Sequence, residues 1–280
     1  MSIVDQNEQY DVEAMVPNLP EIMARYATLS GPAADLPGAH LDLAYGDGPR
    51  QKLDIFPPTD GAAPALLFFH GGYWRAGTKE DRRFPAAPWR ERGVAWVPVE
   101  YRLAPEVSLD DIVDDARAAV AWFHRNAARF GCDPDRITVA GSSAGGHITG
   151  MLAAEGWQDR YGVPDDVIKA GCAISGLFDL EPLRHTFVNE WLALDSEAAE
   201  RNSPLWHFPR QEHPLLIAWG GKESIAFKRQ SQAYAQACLS SGVQVQTLER
   251  ETADHFSIIG EIGQADSPLF AAIAAQIGLP

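Results

Sequence analysis

Eight short runs rich in β-branched and aromatic residues alternate with helical stretches along most of this chain, and no other feature constrains its fold as strongly. They are HLDLAY (40–45), KLDIF (52–56), ALLFFH (65–70), VAWVPVEY (94–101), RITVAG (136–141), GCAIS (171–175), LLIAW (215–219) and VQVQTLE (243–249). Apolar runs of this length between turn-formers predict strands. The clearest helix is predicted over 109–130, where Leu109, Ile112, Val113, Ala116, Val120, Phe123 and Ala127 recur at spacings of three and four. Asp111, Asp114, Asp115 and Arg125 occupy its other face. Strands apolar on both faces and separated by helices describe an α/β protein: a mostly parallel eight-stranded sheet with helices on both faces. The first runs lack an intervening helix, so that edge is expected to be antiparallel.

No internal repeat and no Ser/Gly linker divides the 280 residues, which predicts one domain over 1–280. Two segments stand outside the alternation, an N-terminal helical segment at 10–38 and a polar, Trp-bearing, cap-like insertion at 178–213. In open α/β sheets ligands sit beyond the carboxyl ends of the strands, so both segments are expected to cover a site.

With 23 Lys and Arg against 38 Asp and Glu, the net charge is −15 and the averaged surface repels phosphate, which argues against a nucleic-acid partner. A hydrophobic content of 46% excludes a disordered chain. No run approaches the roughly 18 apolar residues of a membrane span, and the acidic start lacks a signal peptide's pattern, so a cytoplasmic protein with no membrane association is expected. Cys132, Cys172 and Cys238 are odd in number and lack a CxxC spacing, which predicts free thiols rather than disulfides or a metal site. Composition leaves a homodimer open.

RITVAG runs into GSSAGG (141–146), a GxSxG between a strand and a helix starting near Gly145 or Gly146. The flanking glycines suit a turn so sharp that side chains there would collide with the neighbouring strand or helix, which presents Ser143 as a nucleophile. A serine hydroxyl needs a base, and the base an orienting carboxylate, in the chain order Ser, acid, His. His147 lies on the nucleophile's own helix, and His185, His207 and His213 belong to the insertion. His255, in ETADHF after the last strand, is the expected base. Glu223, in GGKES after LLIAW, is the expected acid, with Asp179 of SGLFD as its rival and Asp254 read as a turn residue. Donors for an oxyanion are expected from Gly71 and Gly72 in HGGYW (70–74) and from the N–H of Ala144.

HGGYW, VEYRLAPE (99–106) and GSSAGG, in that order, resemble an α/β-hydrolase of the hormone-sensitive-lipase type, with Tyr73 departing from HGGG and Ser142 from GDSAGG. Within that type the chain resembles the arylformamidase (kynurenine formamidase) group over HGGYWR, SSAGGH, SGLFDLEPL, NEWLALD, NSPLW, GGKESIAFKRQS and ADHFSI, roughly residues 40–262. The resemblance implies Ser143, Glu223 and His255 as the triad. It implies hydrolysis of an N-formyl aryl amide such as N-formyl-L-kynurenine to formate and the aryl amine, with no metal or organic cofactor. Animal members carry Asp where this chain has Glu223, so the acid here is one methylene longer. Tyr73 and Trp74 are candidates for binding an aromatic leaving group, and Phe178, Trp191 and Phe256 are further aromatics near the motifs. A carboxylesterase for small acyl esters and a non-catalytic binding protein on the same scaffold are the alternatives.

Overall fold

The computed structural model describes residues 3–59, 61–210 and 212–279. Eight strands form one sheet: β1 (His40–Ala44), β2 (Lys52–Ile55), β3 (Ala63–Phe69), β4 (Ala95–Val99), β5 (Cys132–Ser142), β6 (Ile168–Ile174), β7 (Leu215–Gly220) and β8 (Val245–Arg250). Their spatial order is β1-β2-β4-β3-β5-β6-β7-β8. β2 pairs antiparallel with both β1 and β4, and every other pairing is parallel, as the missing first helix implied.

Pleating sends alternate residues of β3 to opposite faces. Ala65, Leu67 and Phe69 enter one core with helices α4 (Leu109–Asn126) and α5 (Ala144–Ala153). Leu66 and Phe68 enter another with Tyr26 of α2 (Leu19–Ser30), Trp89 of α3 (Ala86–Glu91) and the helix Pro268–Gln276. Both faces are therefore covered, which is why every residue of β3 is buried.

α4 starts at a reciprocal cap. Ser108 Oγ accepts from the Asp111 N–H at 3.2 Å, and the Asp111 carboxylate accepts from the Ser108 N–H at 3.0 Å, worth about 1 kcal/mol to the helix. The four residues after Asn126 tighten into a 3₁₀ turn, Ala127–Phe130, ended by Gly131 at φ +70°. Asp115 corrects the amphipathic reading of this helix. It is buried, and its carboxylate accepts from the Arg102 N–H and guanidinium and from Gln51 Nε2.

The N-terminal segment is also rearranged from the expectation of one helical stretch at 10–38. A separate α1 (Ile3–Tyr10) precedes it, the chain turns through 11–18, and α2 begins with Pro20 in its first turn and runs into a 3₁₀ turn at Gly31–Asp35. The insertion at 178–213 holds only short helical turns, Glu181–His185, Asn189–Leu192, Ser196–Arg201 and Pro204–Trp206. Among the described residues no helix is long and apolar enough to cross a membrane.

β3 lies between β4 and β5, which are reached by crossovers in opposite directions, so the strand order reverses here. Ligand crevices open at the carboxyl ends of such switch points. Phe69 pairs with Gly141, and the two strands therefore deliver His70–Gly71 and Ser142–Ser143 side by side.

Candidate active site

Ser143 sits between the end of β5 and the first turn of α5 at φ 58° and ψ −118°. A non-glycine residue in this region is strained and persists only where its surroundings hold it. The surroundings here are backbone. A Cβ on Gly141 would come within 2.2 Å of the Gly145 carbonyl oxygen, and one on Gly145 within 1.9 Å of Phe69 O. The Ser143 N–H is held by Ile174 O at 2.9 Å. The helix starts at Ala144, one residue before the expected Gly145 or Gly146.

The loop after β3 faces this elbow. A Cβ on Gly71 would lie 3.0 Å from that of Ser143, and Gly72 has φ +115° with Ala76 O in the space a side chain would need. Among the described residues the N–H groups of Gly71, Gly72 and Ala144 donate to no other group of the chain. Ala144 adds the positive end of a helix. His70 clamps the loop from behind: Nδ1 lies 2.8 Å from Gly71 O, Nε2 3.3 Å from Glu100 Oε1, and the ring stacks on Tyr101 at 4.3 Å. Burial pushes the Glu100 carboxyl up, but the His70 hydrogen bond and nearby positive charge outweigh it and hold the group below its ordinary value.

Glu223 and His255 arrive from the ends of β7 and β8, which pair through Gly220 and Arg250. Lys222 N donates to Ala253 O at 3.0 Å, tying the two loops together. One oxygen of Glu223, Oε1, accepts from the Gly220 N–H at 2.8 Å and from the Ser175 hydroxyl. The other, Oε2, is 3.8 Å from His255 Nδ1, and among the described residues both of these buried atoms lack any other partner. Carboxylate and imidazole are thus aimed at each other with a gap that a small closure converts to a hydrogen bond, as catalytic pairs tighten on substrate binding. Phe227 and Phe256 pack edge-on to the imidazole at 4.6 and 5.3 Å. Asp179, the rival acid, instead caps its own turn by accepting from the Glu181 N–H at 3.1 Å. Asp254 accepts from the Phe256 and Ser257 N–H groups, as a turn residue should.

Ser143 and His255 line a cavity of about 150 Å³ together with Gly71, Gly72, Tyr73 and Arg82. Its roof is Val12, Glu13, Leu19 and Met23 from the N-terminal segment. Among the described residues the insertion contributes nothing to that roof; its Phe187 and Trp191 line a neighbouring cavity that shares Tyr73 and Gly72. Tyr73 stands between the two cavities, its hydroxyl donating to Tyr10 O and its ring edge-on to Phe187 and Trp191.

Trp74 corrects the expectation that it binds the leaving group. Consecutive positive φ angles at Tyr73 (49°) and Trp74 (57°) turn it into the core, where it is wholly buried and its indole donates to His147 Nδ1 at 3.2 Å. Phe178 is likewise a core residue, stacked on Tyr234 at 4.4 Å. The roof comes from the N-terminal segment expected to cover a site, whereas Ser175 and Arg82 escaped the sequence reading. Ser175 alone had a visible signal, as the last residue of GCAIS at the end of a strand.

The BD-FAE family profile matches residues 53–238. Over 246 residues the chain is 31% identical to kynurenine formamidase of Salmo salar, covering 85% of this chain and 82% of that one. It is 27% identical to esterase LipQ of Mycobacterium tuberculosis, covering 80% of this chain and 57% of the relative. A solved structure from Silicibacter sp. TM1040, provisionally described as a thioesterase, superposes with a TM-score of 0.83 at 29% identity, covering 96% of this chain and 99% of the other.

Proposed function

The chain belongs to the BD-FAE family of α/β-hydrolases and to its arylformamidase group, and we propose that it hydrolyses N-formyl aryl amides, N-formyl-L-kynurenine foremost, through a formyl-enzyme. The observation that carries this reading is the confinement of Ser143. Its cavity of about 150 Å³ is well below the roughly 300 Å³ at which pockets for drug-sized ligands begin. A formyl group needs almost no acyl pocket, and the adjoining cavity of about 340 Å³ beyond Tyr73, lined by Phe187 and Trp191, offers space for an aromatic leaving group.

In the proposed reaction neutral His255 takes the Ser143 proton as Oγ attacks the formyl carbon, while Glu223 orients and stabilises the imidazolium. The N–H groups of Gly71, Gly72 and Ala144 receive the developing oxyanion. The C–N bond then breaks, and His255 returns the proton to the departing aryl amine. Water, deprotonated by the same histidine, attacks the formyl-enzyme and releases formate and free Ser143. Each step uses side chains and backbone of this chain alone.

Likeness to esterase LipQ supports a second reading, hydrolysis of small acyl esters by the same machinery. Turnover of N-formyl-L-kynurenine compared with that of nitrophenyl acetate and butyrate separates the two. The formamidase reading expects the formamide to have the highest kcat/KM, and an ester preference of orders of magnitude would defeat it.

A further inference from the structure

Arg82 closes the 3₁₀ turn Glu80–Arg82 that follows the HGGYW loop. It is only 6% exposed and lines the cavity that holds Ser143 and His255. Nη1 donates to the carbonyl of its neighbour Asp81 at 3.1 Å, and Nε is buried with no partner among the described residues. Among the described residues no Asp or Glu carboxylate oxygen lies within 4 Å of its guanidinium. Asp81 accepts instead from the Thr78 hydroxyl, and Glu13, the acidic residue of the cavity lining, is exposed. The Tyr26 ring, 5.8 Å away, offers a π face but no anion.

A shortage of carboxylates does not explain this. The chain has 38 acidic residues against 23 basic ones, and other guanidiniums nearby are paired: Arg83 with Asp54 at 2.7 Å, Arg102 with Asp115 at 2.6 Å, and Arg50 with Glu100. Burial pulls the Arg82 pKa down, yet arginine starts so far above neutrality that the group stays cationic. An unpaired buried charge is strongly destabilising unless something compensates it. The opening that remains is the cavity, whose other walls include the apolar Val12, Leu19, Met23, Phe256 and Ile259.

We propose that Arg82 is a specificity-determining residue that binds a carboxylate on the substrate. Resting on the formamidase reading, the carboxylate belongs to the aryl-amine side, because a formyl group has no substituent to carry it. The site therefore takes an aryl formamide whose side chain carries a carboxylate, its ring against the apolar wall and that carboxylate on the guanidinium. A buried cation gives a carboxylate a charge-assisted hydrogen-bond partner at one defined point of the cavity.

The test compares kcat/KM for N-formyl-L-kynurenine with that for its side-chain carboxamide, which keeps the ring, formamide and ammonium but lacks the carboxylate. The wild type is expected to prefer the carboxylate by about 30-fold, mainly through KM. Arg82→Met should bring the ratio near one while leaving kcat/KM for the carboxamide within about threefold, and Arg82→Lys should retain part of the preference. Absence of a preference in the wild type, or an unchanged ratio in Arg82→Met, overturns the proposal. If both formamides are inert, the formamidase reading fails separately, and Arg82 is judged by the same ratio on 3-carboxyphenyl and 3-carbamoylphenyl acetate. If Arg82→Met does not fold, competitive inhibition of the wild type decides: benzoate should bind about tenfold tighter than benzamide, and equal inhibition counts against the assignment.

Discussion

The Ser175 hydroxyl donates to Oε1 of Glu223, so that Oε2 is left to face His255 across 3.8 Å. The two residues come from the ends of adjacent strands, with Ser175 N bonded to Ala218 O of β7 at 2.7 Å. Ser175→Ala removes a bond to a charged acceptor and frees the carboxylate to rotate. The expected result is a fall of about tenfold in kcat with KM within about twofold. Steady-state kinetics on the formamide checks it, and an unchanged kcat would show that Gly220 N–H holds Glu223 alone.

Ser143→Ala should lower turnover by at least about a thousandfold while leaving the circular dichroism spectrum intact. Ser143→Gly should be equally inactive and more stable, by about 1 kcal/mol, because glycine adopts the observed φ of 58° without strain. Urea denaturation of both variants beside the wild type measures this. Substantial activity in folded Ser143→Ala would remove serine from the mechanism.

Gly145 has no room for a methyl group, since its Cβ would lie 1.9 Å from the Phe69 carbonyl oxygen at the crossing of α5 and β3. Gly145→Ala is expected to cost about 3 kcal/mol or more through a forced backbone shift. Gly31→Ala is the control, because that site is open at φ −52°. Thermal unfolding midpoints should separate the two clearly, and equal midpoints would mean that α5 can slide away from β3.

His147 should make the fold acid-sensitive. It is fully buried and neutral, with Nδ1 accepting from the Trp74 indole and Nε2 2.7 Å from Asn202 O, and burial pulls its pKa from 6.5 to about 4. The unfolded chain then binds the extra proton between these values. This contribution to stability is complete above about pH 6.5 and is lost as pH falls to about 4, on the order of 3 kcal/mol in all. Urea midpoints at pH 7.5, 5.5 and 4.5 should fall more steeply for the wild type than for His147→Gln. Parallel lines for the two proteins would assign acid sensitivity to other groups.

Local spacing carried a large part of this protein. The apolar, β-rich runs marked all eight strands to within about four residues at their ends, because the central strands are buried on both faces and must be apolar throughout. GSSAGG announced its sharp turn, because only glycine at 141 and 145 clears the backbone that crosses there. Chain order then singled out His255 and favoured Glu223 over Asp179, and the fold brings His255 and Glu223 together at the ends of β7 and β8. Tertiary structure alone decided the rest. Trp74 sits beside the HGG motif yet turns inward, because its direction depends on two left-handed residues rather than on its place in the chain. Asp115 looks like a solvated helix residue until Arg102 reaches it. Val12, Leu19 and Met23 close the cavity from more than a hundred residues before Ser143. Arg82 is one arginine among many until packing buries it in the cavity wall without a carboxylate partner among the described residues. Sequence determined what neighbours along the chain can do, since periodicity and turn sterics act locally. The contents of the cavity rest on contacts between distant segments, which exist only after the sheet has assembled.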